Sequence, residues 1–367
     1  MNIGINARHL LKGKLEGIGW YSFEILSRLI LLMPKHRFFF FYDRKTDFLI
    51  SGDNVFNIIL NPPARHPILF RIWFNYILPR NFKKYKIDLF FSPDGFISLN
   101  TQISQIGVIH DLNFEHYPED LPKNVLKYYQ KYMPLFAQKA EKIITVSNFS
   151  KTDIVENYGI SPEKINVIFN GGNNAFRPLK TNQKKVFIEQ NNNNRPYFIY
   201  VGSLHKRKNI ERMLRGFKKF NSFNRMDFII VGTDMWKNQL NLQGLLKNVR
   251  FLGRKSGPEL ANWLASSSAL IYVSYFEGFG LPVLEGMLSG VPVVTSNLTS
   301  IPEVGGDSVI YVDPFNEDSI SMGMEKAMGN NQELIKKALL QAEKFSWDIS
   351  ALKVKDLLLN AMNKNFS

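Results

Sequence analysis

Cysteine is absent from all 367 residues of this chain. Its absence excludes disulfides, thiolate nucleophiles and zinc sites with cysteine ligands. It is compatible with a reducing cytoplasm, where we place the protein by default. The sequence also lacks a run of roughly 20 apolar residues, which a membrane-spanning helix needs. Its first residues show no basic region followed by an apolar one, so no signal peptide is expected.

Two further patterns are missing, and each excludes a class of site. Neither an Asp-x-Asp pair nor a cysteine and histidine cluster with ligand spacing occurs, so no metal is expected. The pair Gly17 and Gly19 lacks the third glycine of a Gly-x-Gly-x-x-Gly loop, which argues against a Rossmann dehydrogenase. The sequence shows no signature of a DNA- or RNA-binding module, so nucleic acid is not an expected partner.

The chain carries a formal net charge of +14 at pH 7. Such an excess points to an anionic partner, which includes nucleic acid, an acidic membrane and a phosphorylated substrate. Basic residues outnumber acidic ones in both halves of the chain, so the charge is not confined to a basic tail. A basic cytoplasmic enzyme accounts for it as well.

Short apolar runs alternate with amphipathic stretches along the whole chain, which predicts βα units around parallel sheets. The length exceeds what one hydrophobic core usually organises, so two domains are expected. In the first half we predict a packed helix over residues 121–139. The predicted strands are residues 1–6, 37–42, 55–60, 87–92, 103–109, 142–146 and 165–169, then 197–201, 227–231, 249–252, 270–273, 291–295 and 309–312.

The alternation breaks at a polar, asparagine-rich stretch, and we place a linker near residues 176–194. The predicted domains are an N-terminal domain over residues 1–180 and a C-terminal domain over residues 195–345. A final helix over residues 346–367 follows. Two doubly wound domains would face each other across a cleft at the carboxyl ends of their strands, where such sheets bind ligands.

The most informative segment is residues 275–287, where an apolar strand leads through a glycine turn into a helix marked by Pro282. Backbone N–H groups at such a turn form an anion site suited to a diphosphate. Glu277 and Glu285 lie before and inside the helix, and a carboxylate can accept hydrogen bonds from two neighbouring hydroxyls. The turn itself consists of Gly278, Phe279, Gly280 and Leu281.

These residues resemble the Glu-x7-Glu motif of family 4 retaining glycosyltransferases, which have the GT-B architecture of two Rossmann-like domains. The flanks, Glu-Gly-Phe-Gly-Leu-Pro before Glu285 and Ser-Gly-Val-Pro-Val-Val after it, are similar to the family as well. The resemblance implies that Glu285 binds the nucleotide ribose and that Glu277 lies beside the transferred sugar. It also implies that the N-terminal domain lies on the acceptor side, that the C-terminal domain binds the nucleotide sugar, and that the last helix packs back across the first domain.

A basic loop follows the strand at residues 197–201, and it too resembles the family. The resemblance implies that Arg207 and Lys208 stabilise the charge on the departing diphosphate, as a metal would elsewhere. Many relatives carry arginine directly after the glycine, where this chain has Ser203. Diphosphate binding would then depend more heavily on Arg207 and Lys208.

Two segments of the first half complete the predicted site. His110 ends a strand in a His-Asp pair that resembles the family's, which implies a position near the sugar and the reaction centre. Its imidazole could donate a hydrogen bond to a sugar hydroxyl or take part in proton transfer. Gly17 and Gly19 resemble the glycine loop that lets backbone approach the donor phosphate or the acceptor.

The resemblance implies a metal-independent, retaining transferase that needs no cofactor besides its nucleotide-sugar donor. The His-Asp-Leu and Arg-Lys-Asn segments of this chain resemble those of bacterial enzymes of surface-polysaccharide assembly. The resemblance implies that the donor is GDP-mannose or a UDP-sugar and that the acceptor is a glycan or a lipid-linked glycan. Two alternatives remain. One is a related GT-B enzyme, such as a nucleotide-sugar epimerase or phosphorylase. The other is a degenerate nucleotide-sugar-binding protein.

Residues 62–86 mix many apolar side chains with six basic ones and no acidic ones. This composition suits a helix that lies on an anionic membrane surface, at the inner face of the membrane. It equally suits a buried helix with a basic rim. Membrane association is therefore one hypothesis for this segment, and core packing is the other.

Overall fold

The computed structural model describes residues 1–11, 13, 15, 17–47, 49–222, 226–233 and 242–363. The chain divides into two compact units. Unit 1 contains Met1–Gly171 and the segment from Ser346 onward, and unit 2 contains Gly172–Phe345. Each unit is an α/β layer structure with one parallel sheet, as the alternating pattern predicts.

Unit 1 contains a seven-stranded sheet in the order β3-β2-β1-β4-β5-β6-β7, and every strand pair is parallel. All seven predicted strands are confirmed, with ends that differ by a residue or two. The strands are β1 (Asn2–Asn6), β2 (Arg37–Tyr42), β3 (Val55–Ile59), β4 (Leu89–Ser92), β5 (Ser104–Val108), β6 (Lys142–Thr145) and β7 (Ile165–Val167). The helices are α1 (Gly17–Leu32), α2 (Pro67–Ile72), α3 (Leu78–Lys84), α4 (Asn113–His116), α5 (Lys123–Lys139) and α6 (Asn148–Tyr158), with a π-helical turn at Trp73–Ile77.

Unit 2 contains a six-stranded parallel sheet in the order β10-β9-β8-β11-β12-β13. Its six predicted strands are confirmed as well. The strands are β8 (Tyr197–Val201), β9 (Asp227–Val231), β10 (Val249–Gly253), β11 (Ala269–Tyr272), β12 (Val293–Ser296) and β13 (Ile310–Val312). The helices are α7 (Thr181–Asn192), α8 (Ile210–Phe220), α9 (Gly257–Ala265), α10 (Leu281–Leu288), α11 (Ile301–Gly305), α12 (Glu317–Ala327) and α13 (Gln332–Ala342).

The segment predicted as a linker forms helix α7 instead. The Lys180 backbone N–H donates to Gln183 Oε1 over 3.0 Å at its start, and Asn193 ends it in the left-handed region with φ 49°. Phe187 packs edge-on against Trp263 with ring centroids 5.2 Å apart. Packing of this apolar residue therefore stabilises a helix that the asparagine-rich composition disfavours.

The last helix, α14 (Trp347–Asn363), belongs to unit 1 and packs on α1. Ala351, Val354 and Leu358 form one fully buried stripe at helical spacing. The Ser350 hydroxyl donates to the Phe169 carbonyl over 2.6 Å. The C-terminal segment is therefore an integral part of the first core.

Each sheet reverses its strand order once, between β1 and β4 in unit 1 and between β8 and β11 in unit 2. Ligands of open parallel sheets bind outside the carboxyl ends of the strands at such switch points. The residues that follow β1, β4, β8 and β11 are therefore the first places to look for a site.

Candidate active site

The predicted cations of unit 2 lie on a short 3-10 turn, Lys206–Lys208, just beyond β8. Asn209 follows in the left-handed region with φ 62° and begins α8. Its side-chain amide donates to the Val273 carbonyl over 3.0 Å and to the Pro314 carbonyl over 2.6 Å. Asn209 thereby fixes the turn against the residues that follow β11 and β13.

Glu277 lies beyond β11, and its buried carboxylate contacts both predicted cations. Its Oε1 accepts hydrogen bonds from Lys208 Nζ over 2.6 Å and from the Tyr272 hydroxyl over 2.8 Å. Its Oε2 lies 3.2 Å from Arg207 Nη1. The structure therefore brings three predicted residues together at the β8/β11 switch point.

The charge of this cluster follows from the pKa of Glu277. Burial opposes ionisation of the carboxyl, but the charges of Lys208 and Arg207 outweigh burial and lower the pKa to about 2. Two cations and one carboxylate leave a net positive charge. The cluster is therefore suited to an anionic ligand such as a diphosphate.

Tyr272 is a member of this cluster that sequence analysis missed. Its hydroxyl accepts a hydrogen bond from Lys208 Nζ over 2.5 Å and donates to Glu277. Its ring stacks on that of Tyr200 with centroids 5.8 Å apart. Tyr272 ends a buried strand five residues before Glu277, and a buried tyrosine hydroxyl needs a hydrogen-bond partner. That requirement was the feature of the sequence from which a contact with Glu277 could have been predicted.

The glycine turn leads from Glu277 into α10. Gly280 has φ 98°, and a Cβ there would lie 2.6 Å from Ile301 Cδ1, so only glycine fits. Phe279 packs edge-on against Phe345 with ring centroids 5.5 Å apart. Gly278 is buried, and Leu281 begins the helix with Pro282 in its first turn. The predicted passage from strand through glycine turn to helix is therefore present, and the anion site at this turn stays a prediction.

Glu285 is half-buried in α10, and its side chain makes no hydrogen bond or ion pair with any residue that the structure describes. Burial raises its pKa to about 8. Its oxygens are therefore available to hydroxyl donors, as a ribose ligand requires.

The raised pKa predicts how stability depends on pH. Folded Glu285 holds its proton up to about pH 8, whereas an unperturbed glutamic acid loses it near pH 4.5. The contribution of Glu285 to the free energy of unfolding is therefore lost as the pH rises from about 4.5 to about 8. We expect the nucleotide-free Glu285→Gln variant to melt at a higher temperature than the parent at pH 9 and at nearly the same temperature at pH 5. Differential scanning calorimetry at both pH values measures this, and equal melting curves at pH 9 would exclude a buried, unpaired carboxyl.

Ser203 follows Gly202, the first residue beyond β8, and precedes Arg207 by four residues. Its backbone carbonyl accepts a hydrogen bond from the Tyr200 hydroxyl over 2.8 Å. Its own half-buried hydroxyl makes no hydrogen bond within the described part of the chain. Ser203 can therefore offer a hydroxyl to a phosphate oxygen, which is a weaker contact than an arginine would make.

His110 lies beyond β5 in unit 1. Its Nε2 is 2.8 Å from the Pro93 carbonyl, which only accepts, so Nε2 carries the proton. Burial lowers its pKa, with the Tyr21 ring packed edge-on at 4.9 Å. A neutral His110 thus presents Nδ1 as an acceptor. In this arrangement it receives a hydroxyl proton in a hydrogen bond and does not donate one, which corrects one of the two predicted uses.

Gly17 and Gly19 do not form a loop ahead of the helix, because α1 begins at Gly17. Gly19 is buried inside the helix, where a Cβ would lie 3.0 Å from the His9 carbonyl and 3.2 Å from Leu15 Cδ2. Gly17 has no atom within 4 Å of such a Cβ. Packing against the His9 carbonyl and Leu15 therefore leaves room only for glycine at position 19. At position 17 the described residues leave open space at the start of the helix. Glu16 lies outside the described residues.

Unit 1 also holds a polar cluster that sequence analysis missed. Arg8 and His9 follow β1, and Asp94 follows β4, so the three flank the β1/β4 switch point. Their signal in the sequence was polar residues directly after two neighbouring apolar strands. Among the described residues, no group of three or more histidine, aspartate and glutamate side chains is arranged to hold a metal ion.

Comparison with protein families gives two matches that together cover most of the chain. Residues 27–174 match Glycosyltransferase Family 4, and residues 181–344 match Glycosyl transferases group 1. The O-antigen chain mannosyltransferase B of Escherichia coli is 28% identical over 375 residues, which cover 94% of this chain and 96% of that protein. The O-antigen chain mannosyltransferase RfbU of Salmonella typhimurium is 30% identical over 59% of this chain and 58% of its own.

Solved structures share the fold. Sucrose-phosphate synthase from Thermosynechococcus elongatus superposes with a TM-score of 0.80 at 16% identity, over 99% of this chain and 100% of that chain. Anabaena HepE in complex with UDP-glucose gives a TM-score of 0.76 at 17% identity, over 98% and 100% of the two chains. The two family matches, the mannosyltransferase relatives and the paired parallel sheets agree: the chain belongs to the family 4 glycosyltransferases of the GT-B type and is a glycosyltransferase.

Proposed function

We propose that the protein transfers a mannosyl residue from a sugar nucleotide to a glycan acceptor during the assembly of a surface polysaccharide. The observation that carries the proposal is the cluster of Arg207, Lys208 and Glu277 at the β8/β11 switch point. Glu285, in the helix that follows, has no side-chain partner among the described residues. The choice of mannose rests on the Escherichia coli relative, which is named as a mannosyltransferase and matches this chain over nearly its whole length.

The cluster supports a reaction in which the nucleoside diphosphate is the leaving group. Charge grows on the diphosphate as the bond to the sugar breaks, and Arg207 and Lys208 stabilise that charge without a metal ion. Glu277 holds both cations in place through its two oxygens. We include retention of the anomeric configuration in the proposal, on the strength of the family resemblance.

Glu285 supports recognition of the ribose. Above about pH 8 Glu285 is a carboxylate with no partner among the described residues, and it can accept one hydrogen bond from each hydroxyl of a vicinal diol. At pH 9 we therefore expect Glu285→Ala to weaken nucleotide binding by about 1.5–3 kcal/mol, which is the value of hydrogen bonds to a charged group. A thermal-shift titration with GDP-mannose and with UDP-glucose measures this, because a ligand at a hundred times its dissociation constant stabilises the protein by about 2.7 kcal/mol.

The control for this experiment is Glu325→Ala, which removes the same side chain from an exposed position of helix α12, outside the motif. Parent and Glu325→Ala should show the same shift with the preferred donor, and Glu285→Ala a smaller one. A parent protein that no sugar nucleotide stabilises would contradict the proposed function. Equal shifts for all three proteins would contradict the role of Glu285.

We also propose that the protein works at an anionic membrane surface. No helix of the described residues is long and apolar enough to cross a bilayer. Residues 67–84 bury one face in the core through Trp73, Phe74, Leu78 and Phe82. The opposite face exposes Ile68, Ile72 and Tyr76 at a spacing of four residues, beside exposed basic side chains at Arg71, Arg80, Lys83 and Lys84.

This segment thus combines both hypotheses from the sequence, with a core face and an exposed apolar and basic face. Exposed apolar side chains can enter the headgroup boundary, and each cation near anionic lipid contributes about 1 kcal/mol. We expect the parent protein to sediment with vesicles that contain phosphatidylglycerol at low salt, and the triple variant Arg80→Glu, Lys83→Glu, Lys84→Glu to stay in the supernatant.

The matched control is Lys218→Glu, Lys326→Glu, Lys336→Glu, which makes the same charge change at exposed lysines of unit 2. It should sediment like the parent. Binding should weaken as salt rises, because salt screens exposed charges. Membrane association would be refuted by a parent protein that remains in solution with anionic vesicles at low salt.

A further inference from the structure

The β1/β4 switch point of unit 1 is organised around the buried carboxylate of Asp94. Oδ1 accepts hydrogen bonds from the Asn6 amide over 2.7 Å, the Ser92 hydroxyl over 2.9 Å and the Phe96 backbone N–H over 3.1 Å. Oδ2 contacts Arg8 Nη2 over 2.6 Å and His9 Nε2 over 3.1 Å. Five donors thus fix both oxygens of one side chain.

Asp94 serves as an anchor and not as a base. Burial opposes its ionisation, but the charges and hydrogen bonds of Arg8 and His9 outweigh burial and hold the pKa of the carboxyl well below its usual range. Arg8 balances its charge inside a box of three aromatic rings, with centroids 5.1, 4.9 and 5.0 Å from the guanidinium carbon, formed by Phe70, Phe74 and Phe96. The side chain is therefore held in its ionised form.

His9 is the exposed member of this group. Its side chain is 44% exposed, against 2% for Asp94 and 6% for Arg8. Its Nε2 donates to Asp94, so Nδ1 is the ring nitrogen left for a ligand. Nδ1 makes no hydrogen bond to the residues that the structure describes. The pair therefore offers a held imidazole nitrogen at the end of the sheet where ligands bind.

His110 lies near enough for the charges of Asp94 and His9 to influence its pKa. It also presents Nδ1, since its Nε2 donates to the Pro93 carbonyl. The Nδ1 of His110 accepts a hydrogen bond, so a ligand must donate one there. A hydroxyl group both donates and accepts hydrogen bonds, so it can pair with Nδ1 of His110 and with Nδ1 of His9. A ligand class that carries several such hydroxyls is a polyol such as a sugar.

The two switch points of the chain differ in charge in the way that two substrates of one transferase require. At β8/β11 the side chains of Arg207, Lys208 and Glu277 leave a net positive charge, which suits a diphosphate. At β1/β4 the charges of Arg8 and Asp94 cancel, and the exposed group is an imidazole. The imidazole can hydrogen-bond a hydroxyl, and the buried Arg8–Asp94 pair adds no net positive charge, so this site fits the acceptor sugar better than the donor phosphates.

On this basis we propose that His9, positioned by Asp94, binds a hydroxyl group of the acceptor sugar at the β1/β4 switch point. This inference rests on the proposed transferase function. It assigns His9 a contact with substrate and gives Asp94 a positioning role.

The test compares the KM for the acceptor with the affinity for the donor. An α-linked mannobiose serves as the acceptor probe, and GDP-mannose as the donor. We expect His9→Ala to raise the acceptor KM about tenfold or more, while the dissociation constant of GDP-mannose from thermal-shift titration stays within about twofold. His9→Gln should recover part of the acceptor affinity, because its amide can donate to Asp94 while its oxygen accepts.

His116→Ala is the matched control. His116 is also half-exposed and its Nε2 lies 2.7 Å from a buried aspartate, Asp153, but this pair joins α4, which follows β5, to α6, which follows β6. Its acceptor KM should equal that of the parent. An acceptor KM for His9→Ala within about twofold of the parent would overturn the inference and leave the transferase function standing.

Failure of the proposed function would give a different result from failure of this inference, because the parent would then transfer no sugar from GDP-mannose. In that case the imidazole NMR signals of the parent still report on His9, assigned by comparison with His9→Gln. The inference predicts that mannobiose shifts the His9 signal and leaves that of His116 in place. A His9 signal that does not respond to mannobiose would overturn it.

Discussion

Replacement of Lys208 by alanine is expected to lower the rate of sugar transfer by about 10²- to 10³-fold, the usual cost of removing one fixed group that stabilises transition-state charge. Lys208 Nζ is held by Glu277 and Tyr272, so its charge is already oriented before the substrate arrives. Initial rates with saturating donor, together with the melting temperature of each ligand-free protein, separate lost catalysis from lost fold.

Lys206→Ala is the matched control for this prediction. Lys206 lies two residues earlier on the same 3-10 turn, but its side chain is exposed. Removing it changes the net charge equally and should leave the rate within about twofold, since an exposed charge is screened by solvent. If Lys208→Ala and Lys206→Ala transferred sugar equally well, the diphosphate would have to be stabilised elsewhere.

Replacement of Asp94 by alanine is expected to lower the free energy of unfolding of unit 1 by about 3–5 kcal/mol. The substitution leaves the buried guanidinium of Arg8 without its partner, and removing one member of a buried ion pair has a cost of this size. It also removes the acceptor of the hydrogen bonds that the Asn6 amide and the Ser92 hydroxyl donate to Asp94. Urea unfolding of the purified variants measures the loss.

Asp348→Ala is the comparison, because it breaks an ion pair of the same unit at the surface. Asp348 pairs with Arg28, but its side chain is 80% exposed. Exposed pairs contribute about 0–1 kcal/mol. Similar losses for Asp94→Ala and Asp348→Ala would show that Asp94 is not the buried centre that its five contacts indicate.

Most strands could be predicted from sequence because they are short apolar runs covered on both faces, whereas the edge strands β3 and β10 are partly exposed. The run at residues 38–41 is four consecutive phenylalanines, and all four are buried in β2. Helix α7 could not, because its composition resembles a loop and its stability comes from Phe187 packing on a tryptophan 76 positions away along the chain. A local pattern carries no information about such a contact.

The site was predictable only in part, for the same reason. Motif spacing and resemblance located Glu277 and Lys208, but not the bond between them, which joins residues 69 positions apart. Tyr272 and Asp94 were missed because their roles come from the strands beside them in the sheet. Knowledge of the strand order would have found both, since it identifies which strand ends are neighbours.

The most direct test of the account is NMR analysis of the reaction of the purified protein with GDP-mannose and α-linked mannobiose in the presence of EDTA. The account predicts release of GDP and formation of an α-linked product, with no product from Lys208→Ala over the same time. A β-linked product would contradict retention, and product that forms only after magnesium or manganese is added would contradict stabilisation of the diphosphate by Arg207 and Lys208. Release of no nucleoside diphosphate from either GDP-mannose or UDP-glucose would contradict the proposed transfer itself.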